Sequence, residues 1–253
     1  MFFDLSGRIA LVTGASSGIG RATAERLARA GCRVAVTYRN GRAEAERLVE
    51  QIAASGGDAL AVAADVSQEA DVKAMVEKVA AHFGGIDILV NNAGALIARV
   101  SVDGATTELW RQVFATNLDS VYFAVKYALP YLKQSAHPRI VNLGSIAGHS
   151  GGGNGSWVYG AAKGAVHTLT RGLARELAPF GITVNAVSPG VIDTPFHAKF
   201  TDENRMRQLK AEVPLGRVGR PEDVVGLIHF LVTDEASYIT GQVIEVNGGQ
   251  LMV

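Results

Sequence analysis

The stretch Ile9-Ala10-Leu11-Val12-Thr13-Gly14-Ala15-Ser16-Ser17-Gly18-Ile19-Gly20 decides the fold. An apolar run with β-branched residues, Ile9–Thr13, passes through a glycine-rich turn into an amphipathic segment of helical length, Ile19–Ala30. A strand, a tight turn and a helix in that order open a βαβ unit. Glycines in such a turn let the backbone approach a pyrophosphate and let the helix pack closely on the strand. The helix N-terminus adds free N–H groups and a positive dipole end. The spacing is Gly-x-x-x-Gly-x-Gly, a departure from Gly-x-Gly-x-x-Gly, so it is the position between strand and helix that marks it. Gly14, Ser16, Ser17, Gly18, Ile19 and Gly20 are therefore the predicted dinucleotide contacts.

The same alternation runs outward through the chain. Further apolar runs are Val34–Tyr38, Ala59–Ala63, Ile86–Asn91, Arg139–Leu143, Thr183–Val187 and Val243–Val246. Helical segments fill the gaps at Ala43–Ala54, Gln68–Phe83, Thr107–Lys133, Val158–Pro179 and Pro221–Thr233. The runs lack polar alternation, as parallel strands covered on both faces do. The expected fold is α/β: a doubly wound parallel sheet (Rossmann fold) of seven strands with helices on both faces and right-handed crossovers. No linker, repeat or charge block interrupts it, so residues 1–253 read as one domain. Two segments break the rhythm. Gly148–Ser156 is glycine-rich and reads as a loop. Residues 190–217 follow a strand's carboxyl end, where open α/β sheets bind ligands, and read as a substrate lid.

Composition narrows the function class. Of 253 residues, 48% are hydrophobic and 19% charged, as in globular chains. Lys+Arg and Asp+Glu are 24 each, so no charge bias points to nucleic acid or to an anionic membrane. No apolar stretch is long enough for a bilayer, and the early acid Asp4 argues against a secretory signal. Cys32 is the only cysteine, which excludes an intrachain disulfide and fits a cytoplasmic location. The histidines (His82, His137, His149, His167, His197 and His229) show no paired metal-ligand spacing and read as surface or packing residues, so no metal is expected.

The end of the second strand chooses the dinucleotide. An acid there binds the adenosine ribose hydroxyls, and a base accepts a 2′-phosphate. The chain reads Val36-Thr37-Tyr38-Arg39-Asn40-Gly41-Arg42, with no acid and with Arg39 well placed. NADP is therefore expected, with NAD possible. Tyr159 and Lys163 stand four apart in a predicted helix and share one of its faces. An ammonium beside a phenol favours the phenolate, so the pair could exchange a proton near neutrality.

With both motifs in place, the chain resembles the short-chain dehydrogenase/reductase family over essentially its whole length, and within it the 3-oxoacyl-carrier-protein reductase group. Thr13–Gly20 is similar to the family's cofactor turn. Asp65-Val66 is similar to its adenine contact, although Asp65 could equally cap the next helix, as could Ser67. Asn91-Asn92-Ala93-Gly94 is similar to its motif after the fourth strand. Asn117 stands where the family keeps an active-site asparagine, and Ser145 follows the fifth strand. Pro189-Gly190 stands where the family's backbone meets the nicotinamide, and the resemblance extends the cofactor set to Ile192 and Thr194. Pro214–Arg217, Gly219–Asp223, Tyr238–Gln242 and Val246–Gly249 are similar to segments of the oxoacyl-reductase group. Two departures stand out. Ser17 replaces an arginine of many NADP-dependent members, and Ser145 to Tyr159 is one residue longer than the commonest spacing, an excess that Gly151–Gly155 could absorb.

The resemblance implies hydride transfer between nicotinamide and a carbonyl/alcohol pair. Tyr159 would be the general acid or base, and Lys163 would lower its pKa and bind the nicotinamide ribose. Ser145 would hydrogen-bond the substrate oxygen, and Asn117 would hold a relay water. It also implies a homotetramer built on the long helices. The expected substrate is a small carbonyl or alcohol compound, of 3-oxoacyl or general carbonyl type. A sugar, polyol or secondary-alcohol dehydrogenase is the alternative, and a non-catalytic dinucleotide sensor a further one. A carrier-protein substrate would ask for basic side chains beside the cleft, and Arg99, Lys199, Arg205, Arg207 and Lys210 could supply them.

Overall fold

The computed structural model describes residues 3–195 and 203–253. Seven strands form one sheet: β1 (Ile9–Val12), β2 (Arg33–Tyr38), β3 (Ala59–Ala63), β4 (Ile88–Asn91), β5 (Arg139–Leu143), β6 (Thr183–Pro189) and β7 (Val243–Val246). All neighbours pair in parallel, in the order β3-β2-β1-β4-β5-β6-β7. The order reverses between β1 and β4. At such a switch point the flanking connections leave to opposite faces and open a crevice at the carboxyl ends.

Successive strand residues point to opposite faces, and both faces are covered. Ala10 and Val12 of β1 pack with α1 (Gly18–Arg29), α2 (Arg42–Ala54) and the late helix Pro221–Leu231, while Ile9 and Leu11 pack with α3 (Glu69–Phe83) and other helices on the opposite side. Leu11, Val12, Leu27, Leu48, Val76, Leu89 and Ile228 are fully buried. Truncating one such leucine to alanine costs about 2–5 kcal/mol, so each face is held by several independent contributions of that size.

The segment expected as one helix over Thr107–Lys133 is not one. It divides into α4 (Thr107–Phe114), a π-helical turn (Ala115–Asp119) and α5 (Ser120–Leu132). The π turn centres on Asn117, whose fully buried side chain binds other backbone, as described below. Two short helices had no clear periodicity in sequence: α6 (Ala147–Ser150), overlapping the start of the expected loop, and α8 (Glu203–Ala211), inside the expected lid. The helix α7 (Trp157–Leu177) then passes into a 3₁₀ turn at Ala178–Phe180, because Pro179 cannot continue it. The last helix, α9 (Pro221–Leu231), opens with proline in its first turn, and Asp223 accepts the Arg220 N–H (2.7 Å) there. Of the expected lid, residues 196–202 lie outside those described, as do His197 and Lys199.

Candidate active site

The carboxyl ends of the strands surround a cavity of about 860 Å³. One end is built by the glycine turn. Gly14 and Gly18 have φ of 63° and 55°, a region that side chains with a Cβ disfavour. A Cβ on Gly14 would stand 3.0 Å from Cα of Ala93. Asn92 pins this turn: its Nδ2 donates to the carbonyls of Thr13 (2.8 Å) and Gly14 (3.0 Å). Thr13 Oγ1 accepts the N–H groups of Asn92 and Ala93, both at 3.0 Å. The Gly14 N–H is taken by Thr37 Oγ1 of β2 (3.1 Å), a contact that sequence reasoning missed.

Helix α1 meets the cavity with Ser17, Gly18 and Ile19. Ser17 is its N-cap yet makes no side-chain cap bond, and no acid stands in the first turn. The first N–H groups and the positive dipole end are thus left for an anion. Ser16, Arg39, Asp65 and Val66 line the same region. Arg39 is about half exposed, with Nη1 3.6 Å from Asp65 Oδ2. Asp65 Oδ1 accepts both the Ser67 N–H (3.0 Å) and its hydroxyl (2.7 Å), so this carboxylate organises the turn before α3. Neither Asp65 nor Ser67 is the cap of α3, which is Gln68. Partial burial works to raise the Asp65 pKa, but the Ser67 hydrogen bonds and the Arg39 charge outweigh it and hold it below the usual carboxylate value. These features fit a 2′-phosphorylated dinucleotide: a glycine cradle, an uncapped helix N-terminus for the pyrophosphate and a guanidinium at the end of β2.

Asn92, Ala93, Gly94, Ser145, Tyr159, Lys163, Pro189, Gly190, Ile192 and Thr194 line the remaining wall. Three expected site residues do not reach it. Gly20 sits behind the turn, where a Cβ would lie 2.5 Å from the Gly14 carbonyl and collide with Asn92 Nδ2. Asn91 is buried and donates to Asn142 Oδ1 (2.9 Å) across β4 and β5. Asn117 is fully buried. Its Oδ1 accepts the Ala95 N–H (3.0 Å), and its Nδ2 donates to the carbonyls of Ala95 (2.8 Å) and Val113 (2.9 Å). A Cβ on Gly94 would come 2.8 Å from Asn117 Oδ1 and 3.3 Å from Lys163 Nζ, which places that asparagine beside the lysine.

Tyr159 and Lys163 share one face of α7, with Nζ 5.9 Å from the phenol ring centroid. Lys163 is almost wholly buried and its Nζ donates to the Leu143 carbonyl (2.6 Å). Burial alone lowers its pKa to about 8. Tyr159 is half-buried and hydrogen-bonded to the Ser145 side chain. The expected lowering of its pKa by Lys163 is absent. Burial pushes the phenol up to about 12, and only the Ser145 bond opposes it. Taking the phenolate out of water costs more than the neighbouring groups return.

The longer Ser145–Tyr159 link contains the Gly151–Gly155 stretch expected to absorb its extra residue. Gly151, Gly152, Asn154 and Gly155 all have positive φ. Arg99 clamps this excursion, Nη1 donating to the carbonyls of Gly153 (3.1 Å) and Asn154 (3.0 Å). The Val100 N–H donates to Gly155 O (2.9 Å), and Trp157 Nε1 donates to Val100 O (3.1 Å). Arg99 also lines the cavity, a specific role that its charge alone did not reveal. Of the other basic residues, Arg207 bonds Asn204 and Lys210 is exposed, while Lys199 and the Arg205 side chain lie outside the described residues. Among the described residues no cluster of histidine, cysteine, aspartate and glutamate could hold a metal, and no helix is long and apolar enough to cross a membrane.

A family profile described as enoyl-(acyl carrier protein) reductase matches residues 14–250. That match and the relatives below place the chain in the short-chain dehydrogenase/reductase family of NAD(P)-dependent oxidoreductases. Among curated relatives it is 43% identical to the 3-oxoacyl-[acyl-carrier-protein] reductase FabG of Staphylococcus aureus, over 96% of this chain and 98% of the relative. Among solved structures it is similar to a dehydrogenase/reductase from Sinorhizobium meliloti (TM-score 0.94, 34% identity, 99% and 97% coverage). It is also similar to a short-chain dehydrogenase from Burkholderia cenocepacia solved in complex with NADP (TM-score 0.91, 37% identity, 97% and 98% coverage).

Proposed function

We propose that this chain reduces the keto group of 3-oxoacyl thioesters or related carbonyl compounds with NADPH. One observation carries the reading: Ser145, Tyr159 and Lys163 border the same cavity as the glycine turn and Arg39, so a proton donor and a dinucleotide cradle meet in one crevice. The similarity to the Staphylococcus reductase supports the 3-oxoacyl class, and the NADP complex of the Burkholderia relative supports the dinucleotide.

The nicotinamide, when bound, supplies the hydride. Ser17, Gly18 and Ile19 would hold the pyrophosphate at the α1 N-terminus, and Arg39 would receive the 2′-phosphate. Pro189, Gly190, Ile192 and Thr194 bound the far wall. Tyr159 keeps its proton at neutral pH, because burial raises its pKa, and so acts as the acid that protonates the substrate oxygen. Ser145 turns its one hydroxyl proton to the same oxygen as charge develops there. Lys163 stays mostly protonated below pH 8, with Leu143 fixing its position one helical turn from Tyr159, and its ammonium returns a proton to the phenolate. Asn117 holds the Ala95 backbone beside Lys163. Residues 190–217 act as the lid, with Leu209 of α8 and Glu212 just after it on the cavity wall.

The whole chain works as one domain, in the cytoplasm, as a homotetramer. Exposed Trp110, Tyr122 and Phe180 on the helical faces, and Tyr238, Met252 and Val253 near the C-terminus, offer apolar surface for subunit contacts. Loss of NADPH absorbance with a panel of 3-oxoacyl thioesters, keto sugars and cyclic ketones tests the reading. Turnover strongest with the thioesters supports it. Tight NADPH binding without turnover of any panel member refutes it.

A further inference from the structure

Tyr159, Lys163 and His167 follow one another at spacings of four on α7 and so lie along one face. His167 is 2% exposed and extends the row away from the cavity. The turn that carries Ser145 wraps around its ring. A Cβ on Gly144 would collide with His167 Nε2, and one on Gly148 would stand 2.6 Å from Cε1 and 2.9 Å from Nδ1. The Ser145 N–H is aimed at Nε2, at 3.5 Å. On the outer side the His149 ring of α6 lies 4.5 Å away, tilted 42°. His149 Nε2 is 3.1 Å from Glu245 Oε1 of β7, without the geometry of a directed hydrogen bond. The other Glu245 oxygen accepts from Asn247 Nδ2 (3.1 Å).

An N–H aimed at Nε2 needs a lone pair there, which assigns His167 the neutral form with its proton on Nδ1. The charged or titratable groups around the ring favour this form. Burial, then His149, Lys163 and Arg171, all disfavour an imidazolium, and the pKa falls to about 4. Glu245, across His149, is the one acid in the group and touches His149 rather than His167. A charged His167 would also set a second cation one helical turn from the Lys163 ammonium.

We propose that His167 is the positioning residue of Ser145: a neutral imidazole, wedged between Gly144 and Gly148 and backed by His149 and Glu245, that holds the serine turn in register with Tyr159. This rests on the reductase reading of the site, in which Ser145 binds the reacting oxygen. Two variants separate packing from acceptance. His167→Gln can place its amide oxygen near the Nε2 position, whereas His167→Met fills similar space and accepts nothing of comparable strength. With NADPH and the best substrate of the panel, H167M should lose about tenfold or more in kcat, with KM and NADPH Kd within about twofold. H167Q should recover most of that loss. Wild-type kcat in H167M, or equal impairment in both variants, overturns the proposal. A measurement on the wild-type enzyme covers the case in which the variants do not fold. Its ¹⁵N imidazole spectrum, assigned by replacing the other histidines, should show His167 as the neutral Nδ1–H tautomer at pH 7. The Nε2–H tautomer or an imidazolium overturns the proposal just as well. If no panel member is turned over, the reductase reading fails, and the tautomer still decides whether Ser145 is held by an acceptor.

Discussion

Tyr159 and Lys163 share a face, as their spacing in the sequence requires, but spacing says nothing of how dry that face is. Burial dominates both groups, raising the phenol and lowering the ammonium. The pairing was legible in sequence and the sign of the Tyr159 shift was not, because desolvation depends on everything packed around the ring. A pH dependence follows. Lys163 is charged below pH 8 and neutral above it, so kcat for reduction should fall as pH rises through about 8. Lys163→Met should lack that limb and be slow throughout, as steady-state pH profiles would show. Arg39 was readable because no acid competes with it at the end of β2. Arg39→Ala should lower the NADPH-over-NADH preference in kcat/KM by about tenfold or more, the loss of one charged hydrogen-bonding partner of about 1.5–3 kcal/mol. An unchanged ratio would remove Arg39 from phosphate recognition. His167 gives a stability signature. Its folded pKa, about 4, is below the ordinary 6.5, so the unfolded chain binds the extra proton between these values. Stability should therefore fall as pH drops from 6.5 to 4, by up to about 3 kcal/mol from this group. Urea melts of wild type and His167→Gln across that range should differ in slope.

At the scale of elements, β3, β5 and β7 have the bounds expected from sequence, since an apolar run between turn signals needs no tertiary information to stop. The segment Thr107–Lys133 was different. Its periodicity is helical throughout, and the π turn at Ala115–Asp119 goes with a long-range demand, the binding of Asn117 to the Ala95 backbone. The clamp of Arg99 on Gly153 and Asn154 was hidden for the same reason, because it joins segments more than fifty residues apart. The turn that Asn92 pins leads to a sharper expectation. Gly20→Ala would push a methyl against Asn92 and the Gly14 carbonyl. It should destabilise the protein by about 1–3 kcal/mol and weaken NADPH binding at least severalfold. Isothermal titration together with thermal melting would read both effects, and intact NADPH affinity would show that the turn need not be held where it is.

For the whole molecule, the near-continuous apolar strands announced a parallel sheet covered on both faces, and the sheet has that form. Strand order was not written in any local pattern; it follows from the family resemblance and the handedness of crossovers. Assembly is a property of exposed faces that no single strand or turn reports. Tyr238, Met252 and Val253 leave most of their surface open in the isolated chain, and Leu215 does so after α8. Light scattering should give a mass four times that of the 26.6 kDa chain, and a monodisperse monomer would contradict the proposed tetramer.

On the proposed mechanism the Tyr159 hydroxyl delivers the proton beside a bound NADPH. Single-turnover reduction of a 3-oxoacyl thioester by Tyr159→Phe, with NADPH affinity measured on the same preparation, tests it most directly. NADPH binding should stay within about threefold of wild type and the rate should fall by at least about a hundredfold, within the usual scale for a lost general acid. A rate close to wild type, with the cofactor still bound, would contradict it.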